Sequence, residues 1–240
     1  MEKLQITPAE VKRVKGQGFL FNNDKQHFSG RIITENGVIS SKQLKVISEA
    51  AEKFGNGNVA LTTRLTVEVT GIEYENIENF KEYLKNGDMV TGGTGPKVRP
   101  IVACKGTVCV FGLCDTQGVA ADIHKRFFEG YSNVVLPHKF KIAVGGCPNN
   151  CVKPDLNDIG LVGQRVTSVD SNVCKSCKKC AIELKCPMEA VKSVDGEIVY
   201  DREICNNCSR CIGHCPFNAV SPGQQGFKVY IGGRWGKKTR

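Results

Sequence analysis

The order of hydrophobic and polar positions predicts a strand–helix–strand–helix unit over the first 90 residues. Residues 18–34 are strand-like and are interrupted by three polar residues at 22–24, which predicts a hairpin. A helix is expected next, capped by Ser40 or Ser41 and ended by Gly55. Its apolar face is predicted to carry Leu44, Ile47, Ala51 and Phe54.

Regular alternation over residues 58–70 predicts one long strand that ends at Gly71. Apolar residues would lie on one of its faces, and Arg64, in the middle of the strand, would lie on the other. An amphipathic helix is expected to follow and to end near Gly87. Its apolar face would carry Ile77, Phe80 and Leu84.

The pattern changes after residue 90. The glycine-rich segment 91–96 is expected to be a flexible boundary. A short buried strand is predicted at 101–103, then a helix capped by Asp115 or Thr116, then a strand over 133–144 broken at Pro137. Residues 226–235 are the last strand-like stretch. A closing helix is expected beyond them, and a chain that stops at residue 240 is consistent with a truncated fragment.

Composition makes the cysteines the main evidence for function. The 240 residues include 13 cysteines, all between Cys104 and Cys215. The chain has no apolar run of the roughly 18 to 20 residues that a membrane span needs, and its first residues have no secretion-signal core. We therefore expect a cytoplasmic protein without a membrane span. Because thiols stay reduced there, metal binding is favoured over disulfides.

Eight of the cysteines form two related motifs. C-x2-C-x2-C-x5-C-P at 174–187 is followed by C-x2-C-x2-C-x3-C-P at 205–216. A structural zinc site is the alternative, but zinc needs only two C-x2-C pairs and no Cys-Pro ending. The repeat resembles bacterial two-cluster ferredoxins, in which the fourth cysteine binds the other cluster. This resemblance implies one [4Fe–4S] cluster on Cys174, Cys177, Cys180 and Cys215, and another on Cys205, Cys208, Cys211 and Cys186.

A further cysteine group contains Cys147 and Cys151 in the motif GGCPNNC. Two thiolates at this spacing can hold two corners of another cluster, and the paired glycines allow close backbone approach. The other two ligands would come from Cys104, Cys109 and Cys114. Both gaps between these three are four residues long, so spacing alone does not choose among them.

Four stretches resemble the sirohaem-containing sulfite and nitrite reductases. They are TTRLTVEVTGI (62–72), ACKGTVCVFGLCDT (103–116), LPHKFKIAVGGCPNNC (136–151) and GFKVYIGGRWGKK (226–238). The resemblance implies a [4Fe–4S] cluster on Cys104, Cys109, Cys147 and Cys151, with Cys151 also binding the sirohaem iron. Because the family usually has five residues between its first two cysteines and this chain has four, Cys114 remains the alternative to Cys104.

The resemblance also implies an α+β fold. A ferredoxin-like half-domain would precede a sirohaem and [4Fe–4S] α/β domain that carries an inserted two-cluster ferredoxin domain. We therefore expect the half-domain at 1–90 and the sirohaem domain at 91–170. The inserted domain is expected at 171–220, and residues 221–240 would be a return strand of the sirohaem domain.

Basic residues at four positions match the substrate-binding residues of this family. Lys139 and Lys141 alternate with apolar residues, so both would lie on one face of a strand. Arg64 and Arg31 match the other two positions. Taken alone, each is typical of a solvated surface charge. Lys97 and Arg99, beside the glycines at 92–95, are candidates for binding the sirohaem carboxylates, although a plain linker would have the same composition.

The expected function is the six-electron reduction of sulfite to sulfide, with electrons relayed through the ferredoxin-type clusters. Nitrite reduction to ammonia is the alternative within the family, and a non-catalytic iron–sulfur electron-transfer subunit is the alternative outside it. An electron-donor protein and a homo-oligomer are also expected. The net charge of +9 could indicate nucleic-acid binding, but the basic residues are scattered. We interpret the charge as compensation for anionic cofactors and substrate.

Overall fold

The structure is a computed structural model that describes residues 6–234. None of the helices in this range is both long and apolar enough to cross a membrane. The helices are α1 (Pro8–Lys15), α2 (Ser41–Phe54), α3 (Ile77–Leu84), α4 (Thr116–Ile123) and α5 (Ala181–Lys185). The strands are β1 (Phe19–Phe21), β2 (His27–Ile32), β3 (Val59–Leu61), β4 (Val67–Glu73), β5 (Val102–Ala103), β6 (Ile142–Gly145), β7 (Ile159–Val169), β8 (Val191–Val194), β9 (Glu197–Tyr200) and β10 (Val220–Ile231).

The described chain divides into two compact units. One contains the chain up to Ala103 together with Val119–Ile142, and the other contains Cys104–Gly118 and the chain from Ala143 onward. The first unit contains an antiparallel sheet with strand order β1-β2-β4-β3. Its core is built from side chains that are almost wholly buried, among them Phe19, Phe28, Ile47, Ile72 and Phe80.

The predicted hairpin and both predicted helices of the first 90 residues are confirmed. At the start of α2 the Ser40 hydroxyl accepts a hydrogen bond from the Gln43 backbone N–H, and the Gln43 side chain accepts one from the Ser40 backbone N–H. Gly55 ends the helix. The predicted apolar face is wrong at one position. Leu44 is 57% exposed, and the buried face is formed by Val46, Ile47, Ala50 and Ala51.

The prediction of one strand over residues 58–70 is wrong, because the chain turns back between β3 and β4. The backbone N–H of Thr62 donates to the Thr66 carbonyl, and Leu65 has a φ of 58°. Arg64 therefore lies in a turn and not in the middle of a strand. The alternation was misleading because Leu65 places an apolar side chain inside the turn.

Two expectations after residue 90 are also corrected. The segment 91–96 is held in place, because the Gly92 N–H donates to the Arg31 carbonyl and the Thr94 hydroxyl donates to the Lys15 carbonyl. The strand expected over 133–144 is reduced to β6, since the residues before it make only an isolated bridge at Phe140. Pro137 has no backbone N–H to donate to a neighbouring strand.

A second sheet has the strand order β10-β7-β6-β5, with β7 and β10 forming a long antiparallel ribbon. The short strand predicted at 101–103 is confirmed as β5. The strand predicted at 226–235 is confirmed up to Ile231 within β10, which begins earlier, at Val220. The closing helix expected after this strand lies outside the described residues. A separate two-stranded hairpin, β8-β9, lies between the two cysteine repeats.

Candidate functional site

The two cysteine repeats form two cavities, and each cavity takes cysteines from both repeats. The first cysteine cavity is lined by Cys174, Cys177, Cys180 and Cys215 and has about 330 Å³ of space between atoms, part of it open to solvent. The second cysteine cavity is lined by Cys186, Cys205, Cys208 and Cys211 and has about 340 Å³ of such space. These are the two sets of four that the sequence predicts as cluster ligands.

Local structure explains how cysteines from distant positions meet. Helix α5 begins after Cys180 and ends before Cys186, so it directs these two cysteines to different cavities. The β8-β9 hairpin turns at Asp195-Gly196, both with positive φ, and returns the chain to the second repeat. Ile182, Val191 and Val220 form a small apolar core beneath both repeats.

Tyr200, at the end of β9, contacts the second cysteine cavity. Its hydroxyl donates to Cys211 Sγ at 3.3 Å. The Arg202 guanidinium lies 4.7 Å from the centre of the Tyr200 ring and also donates to the Thr167 carbonyl. Sequence reasoning missed Tyr200, since nothing in the local pattern distinguishes it from an ordinary strand residue.

The third cysteine group consists of Cys104, Cys109, Cys147 and Cys151. The Gly146 N–H donates to Cys104 Sγ at 3.1 Å, and the Cys104 N–H donates to the Val144 carbonyl. Burial raises the pKa of the Cys147 thiol, and the nearby Cys104, Cys151 and Cys109 thiols raise it further. Cys151 is exposed. The structure therefore brings these four side chains into one neighbourhood.

Cys114 lies beside the same group. Its sulfur is 4.0 Å from the Gly145 carbonyl oxygen, and burial raises the pKa of its thiol to about 11, with smaller contributions from Cys104, Asp115 and Cys147. Cys104 Sγ thus faces an N–H donor, whereas Cys114 Sγ faces an acceptor. Within residues 6–234, no three Cys, His, Asp or Glu side chains converge on the position of a single metal ion. A cubane distributes its thiolate ligands over different irons.

Two glycines allow the third cysteine group to form. A Cβ on Gly146 would lie 2.8 Å from the Gly106 Cα, and a Cβ on Gly106 would lie 2.9 Å from the Gly146 Cα. Only residues without a side chain permit this approach of the two backbones. The contact brings the segment after Cys104 against the segment before Cys147. The glycine pair at 145–146 was predicted to allow such an approach, but its partner Gly106 was not.

Arg210 joins the second repeat to the third cysteine group. Its Nη2 donates to Asn149 Oδ1 at 3.0 Å, and its guanidinium lies 4.9 Å from the centre of the Phe111 ring. Asn149 lies between Cys147 and Cys151, and Phe111 lies between Cys109 and Cys114. The loop that carries Cys208 and Cys211 is therefore attached to both loops of the third group. Sequence reasoning missed this residue as well.

The predicted anion-binding residues all belong to the first unit. Arg31 pairs with Glu68, since its Nε and Nη2 both donate to Glu68 Oε1, at 2.8 and 2.5 Å. Its Nη1 donates to the Gly93 carbonyl, which also accepts from Arg99 Nη1. Two guanidinium groups thus share one carbonyl, and Glu68 is hydrogen-bonded to the Arg31 guanidinium.

The Arg99 guanidinium has an unsatisfied hydrogen-bond donor among the described residues. Burial lowers the pKa of its guanidinium, and the charge of Arg31 lowers it further. Its Nε is buried and has no hydrogen-bond partner among residues 6–234. A buried unpaired donor is costly, so an anion bound at Arg99 would supply the missing acceptor.

The remaining basic residues lie on two adjacent segments. Phe140 N–H donates to the Lys97 carbonyl, and Arg99 N–H donates to the Phe140 carbonyl, so residues 97–99 run beside 139–141. Lys139 is exposed and Lys141 is half-buried. The Lys97 ammonium donates to the Ser132 carbonyl, and Arg64 Nη2 donates to the carbonyls of Pro100 and Ile142. The fold therefore gathers basic residues that are up to 110 positions apart, Arg31 and Lys141 being the extremes.

Comparison with known proteins identifies the family. Residues 94–240 match the model of the nitrite and sulphite reductase 4Fe-4S domain, and residues 22–87 match the nitrite/sulfite reductase ferredoxin-like half domain. The chain belongs to the nitrite and sulfite reductase family. The predicted family membership is thereby confirmed, as are the ferredoxin-like half-domain and the mixed helix and strand content of the fold. The matched 4Fe-4S domain places the chain among the iron–sulfur proteins.

Several relatives are named sulfite reductases. The chain is 36% identical over 205 residues to a coenzyme F420-dependent sulfite reductase of Methanocaldococcus jannaschii, covering 85% of this chain and 32% of that protein. It is 30% identical over 227 residues to one of the subunits of the anaerobic sulfite reductase of Salmonella typhimurium, covering 85% and 64% respectively. The chain therefore spans less than two thirds of the length of either relative.

The fold is also similar to that of a solved structure. The crystal structure of dissimilatory sulfite reductase I matches with a TM-score of 0.66 at 21% sequence identity. The match covers 87% of this chain and 54% of that one. At this level of identity the similarity concerns the fold, and it agrees with the family assignment.

Replacement of Gly146 by alanine is expected to disrupt the third cysteine group. The added Cβ would clash with the Gly106 backbone and press on Cys104 Sγ, so the two loops would separate. After anaerobic reconstitution, iron analysis should show a loss of about four irons per chain, one cubane. The matched control is Gly226→Ala in β10, where a Cβ meets nothing within 4 Å. Equal iron content in both variants would contradict this account of the glycine pair.

Proposed function

We propose that this chain carries sirohaem and three [4Fe–4S] clusters and catalyses the six-electron reduction of sulfite to sulfide. The observation that carries the proposal is the exchange of cysteines between the two cavities, which matches the ligand sets expected of a two-cluster ferredoxin. Family membership supports the third cluster and the sirohaem. In this proposal the third cluster binds to Cys104, Cys109, Cys147 and Cys151, and Cys151 also binds the sirohaem iron.

The environments of the two sulfurs support Cys104 over Cys114 as the remaining ligand. A thiolate that binds iron is an acceptor and is stabilised by N–H donors. Cys104 Sγ receives the Gly146 N–H. Cys114 Sγ lies near a carbonyl oxygen, which suits a protonated thiol that can donate. We therefore assign Cys114 as the spare thiol.

The contacts of Arg210 suggest the order of electron flow. Because Arg210 attaches the loop of Cys208 and Cys211 to the loop of Cys147 and Cys151, we propose that the cluster of the second cavity passes electrons to the third cluster. The cluster of the first cavity would then receive electrons from the donor. This order makes the inserted ferredoxin unit, about residues 171–220, the electron entry of the chain.

The basic residues of the first unit are proposed to bind the anions. When sirohaem is bound, its iron supplies the site at which sulfite is reduced. Lys139 and Lys141 would bind sulfite oxygens and deliver protons as these oxygens leave, while Arg31 and Arg64 would add positive charge that attracts the anion. Glu68 fixes the orientation of the Arg31 guanidinium. Arg99 and Lys97 would bind the sirohaem carboxylates, which would supply the acceptor that Arg99 Nε lacks.

Other expectations remain proposals. Nitrite is also an anion whose reduction, to ammonia, takes six electrons, so the same cations would accept it. Among the relatives, a ferredoxin–nitrite reductase of Leptolyngbya laminosa is 32% identical over 167 residues. We further propose that the chain is cytoplasmic and works as a homo-oligomer or with partner subunits. The second possibility is consistent with the name of its Salmonella relative, which is a subunit of a larger enzyme.

Turnover measurements test the proposed sulfite reduction and the role of Lys139 together. With a reduced dye as donor, the reconstituted protein should reduce sulfite, and nitrite is measured in parallel. Lys139→Gln should lower kcat/KM for sulfite by roughly tenfold or more, because it removes a positive charge proposed to bind and protonate the sulfite oxygens. The sirohaem and cluster absorption should stay unchanged, since Lys139 is exposed.

Lys125→Gln, another exposed lysine of the first unit, is the matched control and should retain activity. Loss of the sirohaem spectrum in Lys139→Gln would mean that the lysine has a structural role. Absence of a sirohaem band and of sulfite turnover in the wild-type protein would favour a non-catalytic electron-transfer subunit instead.

Tyr200→Phe is expected to make the cluster of the second cavity harder to reduce. The variant loses the hydroxyl that donates to Cys211 Sγ, and such a hydrogen bond favours the more negative, reduced cluster. A net contribution of about 0.5–1.5 kcal/mol corresponds to a decrease in midpoint potential of roughly 20–65 mV. Potentiometric EPR titration measures it, with Tyr230→Phe in β10 as control. An unchanged potential would show that the hydrogen bond does not tune the cluster.

A further inference from the structure

The two cysteine repeats differ in the residues between their cysteines. In the second repeat these residues face the rest of the unit. Asn207 Nδ2 donates to Gln164 Oε1, the Ser209 hydroxyl donates to the Arg165 carbonyl, and Arg210 binds Asn149. The second cavity is thus surrounded by the protein's own contacts.

In the first repeat, Lys178 and Lys179 stand at the positions of Ser209 and Arg210. Residues 174–185 contain four lysines, Lys175, Lys178, Lys179 and Lys185, and all four are exposed. Within residues 6–234, none of them forms an ion pair. The one acid in this window, Glu183, accepts a hydrogen bond from the Ser193 N–H. Lys175 lines the first cysteine cavity, and the other three lysines lie on the segment that carries Cys177 and Cys180, so this segment is positively charged.

Apolar side chains accompany these lysines. Leu184 is 73% exposed, and Phe217, which lines the first cavity beside Cys215, is 43% exposed. Cys177, one of the four cysteines of the cavity, is itself exposed. Exposed apolar groups with charged groups around them are the composition of a transient protein interface. An exposed ligand also brings a bound cluster close to the surface.

We propose that the lysine face, defined by Lys175, Lys178, Lys179 and Lys185 around the first cysteine cavity, docks an acidic one-electron carrier protein. The proposal rests on the proposed function, which assigns a cluster to this cavity. The carrier must carry negative charge because four unpaired ammonium groups steer an anionic surface and repel a cationic one. It must carry electrons because the lysines surround an electron-accepting centre.

The chemical step is a single electron transfer. The reduced carrier loses one electron, and the oxidised [4Fe–4S] cluster bound by Cys174, Cys177, Cys180 and Cys215 gains it. No bond forms or breaks. The docked complex then dissociates, and because its attraction is between exposed charges, salt weakens it. Transient association is what repeated delivery of single electrons requires.

Stopped-flow reduction of the reconstituted protein tests the proposal. The probe is a reduced acidic [2Fe–2S] ferredoxin, and bleaching of the cluster absorbance gives the rate. Lys178→Gln/Lys179→Gln should lower the second-order rate constant about tenfold at low salt and make it less dependent on salt. Reduction by the methyl viologen radical, a small cation that the lysines do not attract, should not become slower.

The control is Lys42→Gln/Lys45→Gln on α2, which removes the same charge from the other unit. It should keep the wild-type rate. Equal rates for the Lys178/Lys179 variant and the wild type overturn the proposal, as does an equal loss in the control, which would indicate a general effect of net charge. Equally fast electron exchange with a basic haem carrier protein would also overturn the proposal. Iron content and EPR are measured first. A wild-type chain without this cluster would overturn the cluster assignment itself.

Discussion

Cysteines that are far apart in the sequence have to meet in small cavities, and the second compact unit is organised by this constraint. Cys215 lies in the second repeat but lines the cavity of the first, and Cys186 does the reverse. The exchange requires α5 and the β8-β9 hairpin to hold the two repeats against each other over one small core. In the third cysteine group, the contact between Gly106 and Gly146 has the same effect.

The two cysteine repeats have different surroundings. The second repeat is attached through Arg210 to the loops of the third cysteine group, and Tyr200 donates to one of its cysteines. The first repeat has exposed lysines instead. A duplicated motif has thus acquired one inward-facing and one outward-facing copy, an arrangement that suits electron transfer in one direction.

Much of this could be predicted from the sequence, because cysteine spacing and amphipathic periodicity are local signals. The capped helix α2 is an example, and the resemblance to two-cluster ferredoxins implied the two sets of cysteines that line the cavities. Long-range contacts were not predictable. Arg64 was misplaced because Leu65 continues an alternating pattern through a turn. Glu68, Tyr200 and Arg210 were missed because their partners, Arg31, Cys211 and Asn149, are identified only once the chain is folded.

The most direct test of the account is a cluster count on the exchanged cysteines. Iron and sulfide analysis with EPR should show roughly twelve cluster irons in the reconstituted chain, as three cubanes, besides the one iron of sirohaem. Cys215→Ser and Cys177→Ser should perturb the same EPR signal, and Cys186→Ser should perturb a different one. If Cys215→Ser instead perturbs the same signal as Cys205→Ser, the two repeats do not exchange ligands, and the proposed path of electrons through the chain is contradicted.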